Sequence, residues 1–97
     1  MSNTSTEISK YKELKKEFIG IGEVKGFHFT QISQTDRAFI YEVNTGDAKY
    51  YEVFKRHVNK RYDCVSYPRS SSFGIWAWTK MTLDIAIEKF NELNSVD

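Results

Sequence analysis

The 97-residue chain has one cysteine, one proline and no long apolar run. Cys64 alone cannot close an intramolecular disulfide, so the fold has to rest on packing. With an N-terminus that lacks a basic stretch followed by an apolar one, this predicts a cytoplasmic protein. No window approaches the roughly 18 consecutive apolar residues of a membrane-spanning helix, so a soluble chain with no membrane partner is expected. His28, His57 and Cys64 lack the close spacing of zinc or iron ligands, and neither a metal nor another cofactor is predicted. Gly20, Gly22 and Gly26 do not follow a strand and open a helix, as a phosphate-cradling loop must. No pattern identifies a small-molecule substrate.

What is present suits one small core. Hydrophobic residues make up 40% and aromatic residues 15% of the chain. A chain of this length buries about 60 to 65% of the surface its unfolded state exposes. A single domain over residues 6–94 is predicted, with a disordered N-terminus at 1–5 and a frayed end at 95–97.

Thr4 followed by Glu7 has the pattern of a capping box, and Ile8, Tyr11, Leu14, Phe18 and Ile19 recur at helical spacing. An N-terminal helix ending at Gly20 and Gly22 follows. The period then falls towards two, and β-branched or aromatic residues dominate Glu23 to Ile32, Ala38 to Asn44 and Lys49 to Val58. Polar turns at Ser33 to Asp36 and Asn44 to Asp47 link these into an antiparallel meander. Phe39, Tyr41 and Val43 point one way while Ala38 and Ile40 point the other; Tyr50, Glu52 and Phe54 oppose Tyr51 and Val53. A sheet apolar on both faces needs cover on both, or exposes aromatics for use.

Asn59 to Arg61 reads as a further turn, Tyr62 to Tyr67 as a short strand and Phe73 to Thr79 as the last strand, with Pro68 preventing a continuous run. Trp76 and Trp78 share one side of that last strand in this reading, as core residues or, if exposed, as a stacking platform. From Thr82, an N-cap, Leu83, Ala86, Ile87, Phe90 and Leu93 fall at helical spacing. The expected class is α+β: an N-terminal helix, four or five antiparallel strands, and a C-terminal amphipathic helix packed on one face.

Charge is divided along the chain. Met1 to Ala48 carries six cations and seven anions, Lys49 to Lys80 seven and two, and Met81 to Asp97 one and four. The middle segment mixes its positive charge with Tyr and Trp, as a surface that holds phosphates and stacks bases would. Lys49, Lys55, Arg56, Lys60, Arg61, Tyr62 and Arg69 are the candidate nucleic-acid contacts, in a module that binds rather than catalyses. The alternative is a protein-interaction or homodimerisation module in which the aromatics are anchors. A remote third reading is a metal-free ribonuclease using His57, Tyr62, Arg56 and Arg61. Cys64 near His57 and Asp63 is read as a buried thiol rather than a nucleophile.

The stretch with Phe73-Gly74, Trp76, Thr82, Ala86 and Phe90 is similar in pattern to small sheet-plus-helix DNA-binding modules such as WGR domains and the arm-binding domains of phage-type integrases. The likeness covers about a third of the chain. The Trp-Gly-Arg signature is absent, since Phe73 and Ile75 flank Gly74.

Overall fold

A computed structural model of the chain describes residues 11–95. The strongest alternation in the sequence builds its centre. Strand β3 (Ala38–Asn44) pairs along its whole length with β4 (Lys49–Lys55), from Ala38 opposite Lys55 to Asn44 opposite Lys49. The connecting turn is set by its own side chains. Gly46 N–H donates to Asn44 Oδ1 at 2.9 Å, Thr45 N–H to the Ala48 carbonyl, and Gly46 takes a φ of +97° that glycine adopts without strain.

Strand β2 (His28–Gln34) pairs antiparallel with β3, and the register shifts between Gln31 and Ser33. Ile32 is the extra residue of this bulge, and it stands 41% exposed. The short strand β1 (Glu17–Ile19) adds outside β2. After β4 the chain leaves the sheet, forms a two-residue hairpin from β5 (Val58–Asn59) and β6 (Cys64–Val65), and returns as β7 (Ala77–Lys80) beside β4. The sheet order is β1-β2-β3-β4-β7, antiparallel throughout.

Helix α1 (Leu83–Asn94) then crosses one face. Thr82 Oγ1 accepts from the Ile85 N–H, as the sequence predicts, and Asp84 sits in the first turn near the positive end of the helix dipole. Ala86 and Phe90 pack on Ala38, Ile40 and Val53, and Tyr51 and Leu93 border them. At the far end Asn94 closes onto the β2–β3 turn through a hydrogen bond from the Thr35 hydroxyl.

The opposite face holds Phe29, Phe39, Tyr41, Val43, Phe54 and Ala77, with Val65 delivered by the hairpin. Its rings pack in a connected set: Phe39 stacks on Phe54 at 5.2 Å, and Tyr67 meets Phe54 edge-on at 4.9 Å. Among the described residues no α-helix packs on this face. Residues 11–18 and the 57–76 excursion cover it through Tyr11, Leu14, Phe18, Tyr67, Phe73 and Trp76.

The N-terminal helix is therefore corrected over the described residues: residues 11–16 are irregular, with an isolated bridge at Lys12, and 17–19 form β1. Thr4, Glu7 and Ile8, together with the tails at 1–5 and 96–97, lie outside the described residues. The reason is visible in the backbone. The Lys12 carbonyl accepts from Val65 N–H, that of Lys15 from the Tyr41 hydroxyl at 2.6 Å, and that of Lys16 from Gln31 N–H. Those carbonyls would otherwise bond the amides four residues on in a helix, and Tyr11, Leu14 and Phe18 reach the core all the same. Tertiary bonds override the helical period.

Other boundaries move as well. Glu23 and Val24 lie in a 3-10 turn over Gly22–Val24 rather than in β2. The expected strand over Tyr62 to Tyr67 shrinks to Cys64–Val65, and β4 stops at Lys55. Trp76 precedes β7 and packs into the aromatic face, while Trp78, opposite Val53, lies on the helix face. The two tryptophans thus stand on opposite sides of the sheet. No helix among the described residues is long and apolar enough to cross a membrane.

Candidate functional site

The cationic residues singled out in the sequence stand on several different elements. Lys49, exposed at the start of β4, pairs with Glu42 at 3.3 Å across the β3–β4 ladder. Arg56 just beyond β4 is held in a two-point bond to Glu13, at 2.8 and 2.6 Å. That bond keeps the Glu13 carboxyl below the usual carboxylate range. Lys55 is exposed at the end of β4, on the helix side of the sheet. Arg69 is exposed at the start of a 3-10 turn (Ser70–Ser72), its N–H donating to Ser72 Oγ.

Lys60, Arg61 and Tyr62 do come together, at the tip of the β5–β6 hairpin, where all three are exposed. Asn59 shapes this tip: its Oδ1 accepts from the N–H groups of Arg61, at 3.0 Å, and Tyr62. The Arg61 guanidinium lies 5.4 Å from the Tyr62 ring centre. Lys12 joins the same end of the molecule, since its N–H donates to the Asp63 carbonyl.

The aromatics expected to stack bases are largely used inside. Tyr67 and Trp76 pack in the core, and the His57 ring stacks on Trp76 at 4.4 Å. Trp78 is capped by the Lys89 ammonium at 4.0 Å. His57 stands at the foot of the hairpin, its carbonyl accepting from Ser66 N–H, whereas Arg61 and Tyr62 stand at the tip and Arg56 is bound to Glu13. Among the described residues no group of three His, Cys, Asp or Glu side chains converges as a metal site would.

A concave feature lies elsewhere, on the aromatic face. A cleft of about 530 Å³ opens between two walls. One wall is Phe18, Ile19, Gly20, Ile21 and Val24; the other is Tyr67, Pro68, Ser70 and Phe73; Phe29 and Glu52 also line it. The first wall depends on Gly20, whose N–H donates to the Phe27 carbonyl and whose carbonyl accepts from Gly26 N–H. A Cβ at Gly20 would lie 2.4 Å from the Val24 carbonyl oxygen, so this loop closes only on glycine. Ile19 and Ile21, beside Gly20, are 58% and 83% exposed.

The cleft is mainly apolar; its charged lining residues are Lys15, Glu23 and Glu52, the last a carboxylate on the aromatic side of β4 opposite Tyr41 and Thr79. The Tyr67 hydroxyl donates to its Oε1 at 2.5 Å. Burial raises the Glu52 carboxyl above its ordinary value, against the opposing pull of the Tyr67 hydrogen bond. Burial and the neighbouring Glu52 charge push the Tyr67 hydroxyl far upward, so it stays a donor. Tyr50, also near Glu52, is raised for the same two reasons.

Glu52 is the residue that sequence reading passed over. Its signal was a single acid on the face that carries Tyr50 and Phe54, in the run Lys49-Tyr50-Tyr51-Glu52-Val53-Phe54. Tyr67 and the Gly20 loop gave no comparable signal, because their approach to Glu52 depends on how two irregular segments cross the sheet.

Neither protein-family models, nor curated proteins, nor solved structures give a match to the chain. The pattern likeness of the Phe73 to Phe90 stretch to DNA-binding modules accordingly carries no further argument.

Proposed function

We propose that the chain is a small binding module that takes its ligand in the cleft beside Glu52. The observation that carries this reading is a concave, mainly apolar site lined by a half-buried carboxylate, Glu52, which accepts from the Tyr67 hydroxyl. Its volume lies in the range of about 300 to 1,000 Å³ typical of small-ligand sites. A shifted titratable group inside a cleft adds weight, since most buried acids are paired with a cation or a hydrogen-bonded network.

A saturation-transfer NMR screen of small apolar and amphiphilic compounds tests this, run on the wild type and on Ser70→Trp. Ser70 is an exposed wall residue, so a tryptophan there fills the cleft without entering the core. Hits seen with the wild type and lost in the variant support the reading. Hits that persist in the variant contradict it.

Nucleic-acid binding stands as a second reading, drawn in to the hairpin tip. Exposed Lys60 and Arg61, a shaped turn and the adjacent Lys12 favour it. Contacts to phosphates there would weaken as salt rises. Fluorescence anisotropy of labelled single-stranded and duplex probes at low salt, with a Lys60→Glu, Arg61→Glu double variant alongside, decides it. Saturable binding lost in the double variant supports this reading, and no binding at low salt removes it.

A protein or homodimer partner is the third arrangement. Ile85 and Ile87 on α1 and Met81 before it are exposed, and β1 and β7 are the outer strands of the sheet. Sedimentation of the chain over a concentration series reads this directly.

A further inference from the structure

The carboxylate at the base of the cleft is half used. Tyr67 occupies Glu52 Oε1, and no other partner of this carboxylate is found among the described residues. No fully buried side-chain polar atom there lacks a hydrogen bond, so Oε2 keeps some exposure, on a residue that lines the cleft.

We propose that the ligand of this cleft is a small organic cation, a protonated amine on an apolar body, whose ammonium pairs with Glu52. The proposal rests on the cleft being the binding site and adds the charge and size of what it holds. A partly desolvated carboxylate is costly to leave unpaired, and an ammonium that donates to Oε2 offsets that cost. The apolar body lies along Phe18, Phe29 and Tyr67. Phe18 stacks on Phe29 at 4.7 Å, and Tyr67 meets both edge-on at 5.5 and 5.4 Å, so the rings form one packed aromatic wall.

The alternatives of charge fit less well. The charged groups lining the cleft are Lys15, Glu23 and Glu52, one cation against two anions. An anion would meet Glu52 at the base, and the Tyr67 hydroxyl cannot serve it because its only proton is donated to Oε1. A neutral apolar molecule would cover Glu52 without satisfying it. The cleft volume suits a compound of drug-like size or below rather than a folded partner.

Isothermal titration of the full chain at low salt tests the assignment with hexylammonium, 1-hexanol and hexanoate, three probes of one shape and different charge. Hexylammonium is expected to bind about tenfold more tightly than 1-hexanol, the difference one charge-assisted hydrogen bond produces, and hexanoate not at all. Glu52→Gln keeps the shape and an acceptor for Tyr67, and should bring hexylammonium down to the affinity of 1-hexanol. Ser70→Trp, outside the core, should abolish both.

Equal affinities for the amine and the alcohol, or an amine affinity untouched by Glu52→Gln, would overturn the cationic assignment while leaving the cleft as the site. No binding by any of the three would overturn both. A lysine-containing pentapeptide that binds more tightly than hexylammonium would overturn the small-molecule assignment in favour of a peptide side chain.

Discussion

The two faces of the sheet start from the same strands and end differently. Towards α1, the inward positions are Ala38, Ile40 and Val53, and a regular helix with Ala86 and Phe90 lies close on them. Towards the other side, Phe29, Phe39, Tyr41 and Phe54 stand up from the sheet, and among the described residues irregular segments cover them. A helix presents a continuous stripe that fits a shallow aliphatic surface. Tall rings are spanned instead by segments that touch down at Tyr11, Leu14, Phe18, Tyr67 and Phe73, and between two such segments a cleft is left. The acid among the rings, Glu52, lies at that opening. One face is closed by its helix, and the other combines a packed core with a cleft.

The largest effect that should separate the faces is truncation of the ring core. Phe54, fully buried, touches Phe39, Tyr41, Tyr67 and Trp76. Phe54→Ala should cost about 3 to 5 kcal/mol, measured by denaturant unfolding, and remove ligand binding with it. Gly20→Ala comes next. The new methyl meets a backbone oxygen, so the loop must shift at a cost of about 1 to 3 kcal/mol, and ligand affinity should fall more than stability alone explains.

Thr82→Ala sharpens the contrast from the other side. Loss of the N-cap bond should cost about 1 kcal/mol while leaving cleft binding at its wild-type value. A drop in binding of the same order as that from Gly20→Ala would mean that the faces are not independent.

The smallest effect is the pH dependence of Glu52→Gln. The folded state raises the Glu52 pKa, so it binds the proton more tightly than the unfolded chain. Its stabilising share is complete below the ordinary carboxylate pKa and is lost as pH rises through the folded value. Thermal melts should therefore show the variant gaining on the wild type as pH rises from about 4 to neutrality. Glu13, lowered by Arg56, works in the opposite sense and is exposed enough to count for little.

Much of the fold could be read in the chain. β3, the β3–β4 turn and α1 with its Thr82 cap follow from local pattern, because alternation, turn chemistry and capping agree there. The N-terminal segment did not follow. Tyr11, Leu14 and Phe18 fit a helix and an extended strap equally well, and the carbonyls of Lys12, Lys15 and Lys16 chose between them through partners at Val65, Tyr41 and Gln31. The pairing of two of the basic residues was hidden for a related reason. Lys49 and Arg56 look available in sequence, yet Glu42 and Glu13 occupy them. Glu52 looks like an ordinary exposed acid until Tyr67, fifteen residues on, closes over it.

Amide chemical-shift mapping of the 15N-labelled chain, titrated with the best cleft ligand, bears most directly on the claim that the aromatic face holds the site. Shifts should concentrate at Ile19, Gly20, Ile21, Val24, Ser70 and Phe73, with Ala86, Phe90 and the Lys60-Arg61 tip unmoved. Shifts centred on α1 or on the hairpin tip, with the Gly20 loop silent, would contradict the account.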